Sequence, residues 1–358
     1  MKIAYIIEED VSYESGVLKK LAAQMQAWLG EGHQVKFFAL SPKLGVWSGL
    51  NIAGEVILSP IVLTNQIRAV KLVKPIESWQ PDIVYMRLGL YNPSWIKIAA
   101  SFPIVIEVNS DDLSERKASH NYHSWLYHRL TRNIFFRKVG GMVFVTHELA
   151  DKFNQYTQPK IVISNGIDLT QYYPLPAPSN SNPRLVFSAT NQSVWHGIDK
   201  VYQMAEHFRD WQFDLIGNLD LPPEYAINNL PNIKLYGRLA RDQYESLMAA
   251  ADIGIGSLSL HHNNMQEACV LKVREYLAYG IPTIIGYRDT DFLTSAPFLL
   301  QIPNTPDSIQ KSLIEIKSFV EQWKGKRLDR NKINHLDARS KEKQRLGFFE
   351  QILNNIFG

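Results

Sequence analysis

Cysteine is nearly absent from the 358-residue sequence, which contains a single one, Cys269. One thiol excludes an internal disulfide framework and is typical of a protein from a reducing compartment. The sequence also has no run of about 18 apolar residues, and its start, MKIAYIIEED, does not have the long apolar stretch of a signal peptide. We therefore expect a cytoplasmic protein, in which any membrane contact is peripheral, at the inner face of the membrane.

A large excess of charge of either sign is absent too. The 38 basic and 35 acidic residues give a formal net charge of +3, and 45% of the residues are hydrophobic. This mildly basic balance is compatible with a pyrophosphate ligand or an anionic lipid surface, but it requires neither. The length exceeds what one hydrophobic core comfortably supports, so it predicts two domains.

Short apolar, β-branched runs alternate with longer amphipathic stretches along the chain. This alternation predicts an α/β fold in which parallel sheets are covered by helices on both faces. The first half contains six predicted strands, over residues 2–7, 34–40, 82–86, 103–109, 141–145 and 160–164. The second half contains six more, over residues 184–189, 212–216, 233–236, 253–258, 281–286 and 298–302.

Residues 168–183, DLTQYYPLPAPSNSNP, interrupt this alternation. They are rich in Pro, Ser and Asn, which is typical of an interdomain linker. We therefore predict two doubly wound, Rossmann-like domains, over residues 1–167 and 184–336, and a final helical segment over residues 337–358. Ligands in such sheets bind beyond the carboxyl ends of the strands, so we expect a site in a cleft between the domains.

The most informative segment is EACVLKVREYLAYGIP, residues 267–282. Its pattern predicts a helix from about residue 268 to 279, whose N-terminus would favour an anion. Glu267 and Glu275 would then lie roughly 12 Å apart along one axis, at ~1.5 Å per residue. Lys272 would share the face of Glu275. The spacing alone leaves two interpretations open, a site for a diphosphate-linked sugar or an ordinary surface helix with a Lys–Glu pair.

The same segment resembles the donor-binding motif of family-four retaining glycosyltransferases (glycosyl transferases group 1), in which a Glu pair precedes YLAYGIPTI. Further matching segments occur in the family's order, namely SNGID (164–168), WHGIDK (195–200) and IKLYGR (233–238) followed by MAAADIGIGSL. PDIVYMR (81–87) and PIVIEVNSDDLSE (103–115) resemble segments of bacterial surface-polysaccharide members. The resemblance covers about residues 1 to 350. It implies the GT-B fold, with an acceptor domain, a donor domain, and a last helix that returns to the first domain.

The resemblance also implies roles on the donor side. Glu275 is expected to bind the ribose hydroxyls, and Glu267 to hold donor-sugar hydroxyls or approach the anomeric carbon. Lys272 is expected to neutralise charge on the departing pyrophosphate. Backbone N–H groups of Cys269 and Val270 are expected to meet the sugar or the β-phosphate. The other implied donor-side positions are Leu271, His196, Gly197, Gly237, Arg238 and Gly16.

This sequence departs from the family's pattern at several positions. Thr190 stands where an Arg is expected, and His196 takes the place of a Lys, so pyrophosphate binding would depend more on Lys272 and a titratable His196. Val270 replaces a Gly inside the motif. Asn109 stands where a first-domain His is often met, and we include it with Glu267 and Lys272 among the catalytic candidates. The acceptor-side candidates are Arg87, Asp111, Asp112 and Glu115.

Three other signals have simpler interpretations. Asp289-Thr290-Asp291 matches a metal-binding D-x-D pattern, but its place after a predicted strand favours an ordinary loop. His120, His123 and His128 are better explained by a solvated, basic helix face than by a metal site. Cys269 is better explained by packing at a helix start than by nucleophilic chemistry. We therefore expect no metal and no cofactor besides the donor substrate.

Residues 116–138 interleave Arg and Lys with aromatic and apolar side chains. Such a segment can lie on an anionic membrane surface, where a lipid-linked acceptor would be presented. The alternative, which we favour at this point, is that the aromatics pack on the domain core while the charges face water. No recognisable nucleic-acid-binding motif accompanies these charges, so we expect no nucleic-acid partner.

These patterns together predict a retaining glycosyltransferase that works without a metal. It would transfer a sugar from a UDP- or GDP-linked donor to a glycan, lipid-linked or small-molecule acceptor in polysaccharide or glycoconjugate biosynthesis. Two alternatives stay open. One is a nucleotide-sugar epimerase on the same two-domain plan, and the other is a non-catalytic protein that binds sugar nucleotides.

Overall fold

The computed structural model describes residues 1–60, 62–190, 193–219 and 230–357. The chain divides into two compact units. Unit 1 consists of Met1–Gly166 together with Ala338–Gly358, and unit 2 of Ile167–Asp337. Residues 168–183 form no strand or helix and lie in unit 2.

Unit 1 is built on a seven-stranded, wholly parallel sheet with the strand order β3-β2-β1-β4-β5-β6-β7. The strands are β1 (Lys2–Ile7), β2 (Gln34–Ser41), β3 (Gly54–Leu58), β4 (Ile83–Arg87), β5 (Ile104–Val108), β6 (Gly141–Phe144) and β7 (Lys160–Val162). The helices are α1 (Gly16–Gly30), α2 (Val62–Arg68), α3 (Val70–Trp79), α4 (Pro93–Ala99), α5 (Asp112–Ala118), α6 (Tyr122–Phe136), α7 (His147–Lys152) and α12 (Ala338–Phe357).

Helix α1 shows how local sequence sets these elements. It begins after Ser15, whose hydroxyl accepts a hydrogen bond from the Leu18 N–H at 3.1 Å, as expected of an N-cap. Apolar residues at helical spacing, such as Leu21 and Trp28, are buried against the sheet. The helix ends where Gly32 adopts a φ of 84°, a left-handed conformation that glycine takes without strain.

Helix α12 completes the core of unit 1, although it is the last element of the chain. Phe349 packs edge-on against Trp28 and tilted against Tyr85, with ring centroids 5.6 and 5.4 Å apart. Polar contacts accompany this packing, since Arg345 Nε donates to the Tyr85 hydroxyl at 2.9 Å and Trp28 Nε1 donates to Glu342 at 2.9 Å. The sheet and α12 thus share one buried aromatic and ionic cluster.

Unit 2 contains a six-stranded parallel sheet with the order β10-β9-β8-β11-β13-β15 and a separate pair, β12-β14. Its strands are β8 (Arg184–Ser188), β9 (Gln212–Ile216), β10 (Ile233–Leu235), β11 (Ile253–Ile255), β12 (Glu267–Ala268), β13 (Thr283–Ile285), β14 (Arg288–Asp289) and β15 (Leu299–Gln301). Its helices are α8 (Ile198–His207), α9 (Arg241–Ala250), α10 (Leu271–Ala278) and α11 (Ser308–Trp323). Where unit 2 joins unit 1, Ile167 and Asp337 form a bridge.

All twelve predicted strands are present, with boundaries that differ by a few residues at most. The strand β3 was missed because its five residues are only partly buried at the edge of the sheet and form no strong apolar run. None of the helices in the described ranges is long and apolar enough to span a bilayer.

Candidate functional site

The carboxyl ends of β8 and β11 in unit 2 lead into two loops that bind each other. One contains the 3-10 helix Val194–His196, and the other the 3-10 helix Leu260–Asn263. The Leu258 N–H donates to the His196 carbonyl at 3.1 Å, and the Ser259 N–H donates to the Trp195 carbonyl at 3.2 Å. The two loops therefore form one surface at the edge of the sheet where α/β proteins bind ligands.

Gly197 is required by this loop pairing. Its φ is +71°, and an added Cβ would lie 2.7 Å from the Ser259 Oγ and 2.9 Å from the Leu258 Cβ. A larger residue would therefore push the two loops apart. Helix α8 begins at the next residue, so Gly197 also sets the start of that helix.

Lys272 lies in the first turn of α10, close to the end of β8. Its Nζ is shielded from solvent and has no hydrogen-bond partner among the described residues. The nearest ring is that of Phe187, whose centroid is 3.8 Å from the Nζ. Burial lowers the pKa of Lys272 well below its ordinary value. A buried amine without a partner is costly, so this position favours a bound anion.

His196 lies close enough to Lys272 to be affected by its charge. Burial, and then the charge of Lys272, lower the pKa of His196 to about 3. Its Nδ1 is 3.2 Å from the Ser257 Oγ. In the ligand-free protein, burial and the charge of Lys272 thus favour a neutral His196 near pH 7. The role of His196 in pyrophosphate binding stays a prediction.

Glu275 lies one turn further along α10 and is held by two tyrosines. The Tyr172 hydroxyl donates to one carboxylate oxygen at 3.2 Å, and the Tyr244 hydroxyl donates to the other at 2.8 Å. Burial, and then the charge of Glu275, raise the pKa of Tyr244 well above its ordinary value, so this hydroxyl stays protonated as a donor. These two donors, one on each oxygen, hold the carboxylate in a single orientation.

The predicted geometry of the Glu pair is wrong in one respect. Helix α10 begins at Leu271, not near residue 268, and Glu267 lies in β12, which pairs with β14. The two carboxylates are therefore not on one helix, and an axial separation of roughly 12 Å does not describe them. Val270, with φ −74° and ψ 128°, marks the extended approach to the helix. The pairing of β12 with a strand 20 residues away is not encoded in the local periodicity.

Asp289 and Asp291 of the D-x-D pattern hold Arg274 of α10. The guanidinium donates to both Asp289 oxygens at 2.8 and 2.7 Å and to Asp291 at 2.7 Å. The sequence suggested an ordinary loop here, but Asp289 is buried and lies in strand β14. This bidentate pair fixes α10 against β14 and orients the first turn of the helix. Cys269, directly before that turn, is buried.

The other donor-side candidates fall into two groups. Gly237 and Arg238 follow β10, and the Gly217 N–H donates to the Gly237 carbonyl at 2.7 Å, which links the ends of β9 and β10. All the unit 2 candidates thus lie at the carboxyl edge of one parallel sheet, because α10 runs back from the loop after β11. Gly16, by contrast, is the first residue of α1 and lies in unit 1.

Unit 1 has a cavity of about 370 Å³ at the carboxyl ends of β1, β4 and β5. Four sequence-predicted residues line it, namely Arg87, Asn109, Asp112 and Glu115. Asp111 is not one of the lining residues. It caps α5 by accepting from the Ser114 N–H at 3.0 Å and from Lys152 at 3.1 Å. The structure therefore brings together four of the six unit 1 candidates, and neither Asp111 nor Gly16 lines the cavity.

Asn109 is fixed by a buried ion pair beneath this cavity. Its amide donates to Glu107 at 2.9 Å, and its oxygen accepts from Lys20 at 3.1 Å. Lys20 and Glu107 are themselves 2.5 Å apart, and Arg345 approaches Glu107 at 3.1 Å. Burial alone would raise the pKa of Glu107, but the charges of Lys20 and Arg345 lower it below the ordinary value. Asn109 therefore presents a preorganised amide to the cavity.

Asp112 is engaged in a second buried cluster. Its carboxylate lies 2.6 Å from His128 Nε2 and accepts from Arg132 at 2.5 and 2.6 Å. His128 is buried, so its assignment to a solvated helix face is wrong. The error arose because the carboxylate that pairs with it is 16 residues away and belongs to the preceding helix.

Glu8, at the end of β1, is a cavity residue that the sequence reasoning missed. Burial, and then the neighbouring Glu9, raise the pKa of Glu8 to about 7, while Arg116 opposes this shift. A carboxyl group that titrates near neutral pH in a cavity is a candidate for proton exchange with a ligand. The signal was present in the sequence as the Glu-Glu pair directly after the first strand.

No protein-family profile matches the sequence, and no curated protein is similar to it. Solved structures are similar over nearly the whole chain. Sucrose-phosphate synthase from Thermosynechococcus elongatus has a TM-score of 0.68 at 14% identity, over 99% of this chain and 97% of that chain. HepE of Anabaena in complex with UDP-glucose has a TM-score of 0.62 at 16% identity, over 99% of each chain. The lipopolysaccharide outer core galactosyltransferase WaaB has a TM-score of 0.61 at 12% identity, over 100% and 99%.

The chain has the GT-B fold. This confirms the predicted fold class, since each GT-B unit carries its own parallel sheet with covering helices. At 12 to 16% identity the likeness establishes the fold alone. The family-four assignment, retention of configuration and the individual site roles stay predictions.

Proposed function

We propose that this GT-B protein is a retaining glycosyltransferase. It would transfer a sugar from a UDP- or GDP-linked donor to a glycan, lipid-linked or small-molecule acceptor in cytoplasmic polysaccharide or glycoconjugate assembly. The observation that carries the proposal is Lys272, a buried amine with no partner among the described residues. It stands in the first turn of a helix, at the edge of the sheet where α/β proteins bind nucleotides.

The diphosphate is proposed to bind at the start of α10. The first N–H groups of a helix are unpaired within the helix, and Val270 provides no side-chain cap for them. A phosphate there would accept from these groups and from Lys272, and its charge would restore the ammonium form of the lysine. Neutral His196 would serve as a hydrogen-bonding group beside the phosphate.

Glu275 and Glu267 are proposed to bind the two ends of the donor. Glu275 would accept from the ribose hydroxyls in the orientation that Tyr172 and Tyr244 give its carboxylate. Buried Glu267 would orient the sugar at its anomeric carbon. Charge-assisted hydrogen bonds to hydroxyls are short and strong, so Glu275 would add to the affinity for the donor, whereas Glu267 would mainly fix the position of the sugar.

The acceptor is proposed to bind at the unit 1 cavity through Asn109, Arg87 and Glu115. In the transfer step, the acceptor oxygen bonds to the anomeric carbon as the bond from that carbon to the phosphate oxygen breaks. The acceptor's proton passes to the leaving phosphate on the same face of the sugar. Lys272 stabilises the charge on the nucleoside diphosphate, so the proposed step needs no metal.

Two neighbours support the choice of substrates. HepE was solved with UDP-glucose, which favours a UDP-sugar among the possible donors. WaaB is a lipopolysaccharide outer core galactosyltransferase, which favours an acceptor of the surface-polysaccharide type. Both inferences concern substrate class and leave the transferred sugar open.

A panel of nucleoside-diphosphate sugars, screened by thermal shift, tests the donor proposal. A binding donor should raise the melting temperature, and slow donor hydrolysis or transfer should follow with the α-anomer retained in the product. An epimerase would instead isomerise the donor without an acceptor. A non-catalytic binder would show the thermal shift without hydrolysis. No stabilisation by any donor would refute the proposal.

A further inference from the structure

Helix α6 in unit 1 carries an exposed apolar stripe. Tyr122, Leu126, Leu130 and Ile134 follow one another at intervals of four residues, and they are 54, 52, 70 and 48% exposed. Residues four apart in a helix lie on the same side, so the four side chains form a continuous row. The inward side of the same helix contributes Phe135 and Phe136 to the core. The core therefore accounts for some of the apolar residues of this segment, but not for the stripe.

The charge around the stripe has one sign. The sequence contains no Asp or Glu from residue 116 to residue 147. Arg129, Arg137 and Lys138 are exposed. At about 100° per residue, Arg129 and Arg137 lie within about 60° of Tyr122 on the helical wheel, on the same flank as Asn133. The stripe is thus bordered by cations and by no carboxylate of its own segment.

A cavity of about 640 Å³ opens on that flank. Three arginines line it, namely Arg129, Arg132 and Arg137, together with Asn133 and residues 155–158. Only Arg132 has its charge balanced by a carboxylate, that of Asp112. Within the described ranges, neither Arg129 nor Arg137 is in an ion pair, and Arg129 instead stacks on Trp125 at 5.1 Å. The cavity is therefore suited to an oxyanion with several acceptor oxygens, such as a phosphodiester.

We propose that this face of α6 docks on an anionic lipid bilayer. Phosphodiester headgroups would enter the three-arginine cavity, and the stripe would reach the boundary between headgroups and acyl chains. An exposed apolar row next to unbalanced cations has the arrangement of a helix that lies in a membrane interface. A protein partner would need acidic groups around an apolar groove, whereas a bilayer supplies both properties over its whole surface. The docking does not depend on the proposed sugar transfer.

The test is flotation of the full-length protein with vesicles of phosphatidylglycerol and phosphatidylcholine, compared with phosphatidylcholine alone. The wild type should float with the anionic vesicles at low salt and be released as the salt concentration rises. Because each basic residue near such a surface contributes about 1 kcal/mol, the double variant R129Q/R137Q should bind roughly 30-fold more weakly. The variant L126S/L130S should lose binding as well.

Exposed residues of unit 2 provide matched controls. Ile314, 86% exposed on α11, and Lys317 on the same helix allow I314S and K317Q, which should bind like the wild type. Thermal melts should show every variant folded, since all the changed side chains are exposed. Wild type that fails to float with anionic vesicles would overturn the proposal. Variants that float as the wild type does would also overturn it. A wild type that forms a dimer and does not bind vesicles, with the dimer lost in L126S/L130S, would do the same.

Discussion

Replacing Lys272 by Met separates the role of this residue in stability from its role in binding. Met is similar in length and apolar, so it can fill the space next to Phe187 without burying an amine. A buried polar group without a partner costs about 1 to 3 kcal/mol. We therefore expect the ligand-free K272M variant to be more stable than the wild type by about 1 to 2 kcal/mol near pH 7.

The lowered pKa of Lys272 also predicts how the stability of the wild type depends on pH. The folded-state pKa of Lys272 is lowered, so the unfolded chain binds more protons than the folded one between the lowered value and the ordinary value near 10.4. The free energy of unfolding of the wild type should therefore rise with pH across that window, by at most about 1.4 kcal/mol per pH unit. This slope should be absent in K272M. Chemical denaturation at a series of pH values measures both.

Binding should change in the opposite direction. A buried charge that loses its ionic partner typically costs about 2 to 5 kcal/mol, so UDP or GDP should bind K272M roughly 30- to 5,000-fold more weakly. At a pH between the lowered and the ordinary pKa of Lys272, calorimetry in buffers of different ionisation enthalpy should show a proton taken up when the wild type binds, and none with the variant. K317M, on the exposed face of α11, is the control. Unchanged nucleotide affinity in K272M would refute the assignment of the anion site.

Three further perturbations address the remaining groups. Glu275→Ala should weaken donor binding, whereas Glu267→Ala should lower kcat more than affinity, which steady-state kinetics and calorimetry together resolve. Glu107→Gln should destabilise unit 1 by about 3 to 5 kcal/mol, because Lys20 loses a buried ionic partner. In the wild type, the contribution of Glu107 to the free energy of unfolding is present above a pH of about 4. It is lost as the pH falls through the lowered pKa of Glu107. Glu8→Gln should remove an inflection near pH 7 from the pH profile of kcat/KM.

Each of these three predictions has a result that would contradict it. Near-wild-type activity in both Glu267→Ala and Glu275→Ala would contradict the donor-site assignment. For Glu107, the control is Glu55→Gln, which removes an exposed ion pair with Lys36 and should change the melting temperature little. Equal melting temperatures in both variants would contradict the buried network. An unchanged profile in Glu8→Gln would mean that another group titrates near pH 7.

The sheets could be predicted from the sequence because their central strands are buried on both faces and appear as short apolar runs. Strand β1 has the predicted bounds, because its apolar run ends sharply at the two glutamates that follow it. Strands β12 and β14 could not be found in this way. They are two residues long and exist through their mutual pairing and the Arg274–Asp289 contact, which depend on the tertiary structure.

The candidate site was predictable in its residues more than in its geometry. The motif around Glu275 identified α10, but the periodicity extended that helix backward over residues that form β12. The state of His196 depends on Lys272, which is distant in sequence, so its neutral form could not be anticipated. Glu8 was passed over because a carboxylate at a strand end becomes notable only when burial is known.

The discontinuity of unit 1 affects the order in which the molecule matures during synthesis. A nascent chain leaving the ribosome exposes Trp28 and Tyr85 early, but α12, whose Phe349 covers both, emerges only after all of unit 2. Unit 2 is contiguous and can fold as soon as it is complete. The first sheet, whose seven strands have all been made by then, must therefore wait without the helix that covers these aromatic side chains, so we expect chaperones to protect this surface during synthesis.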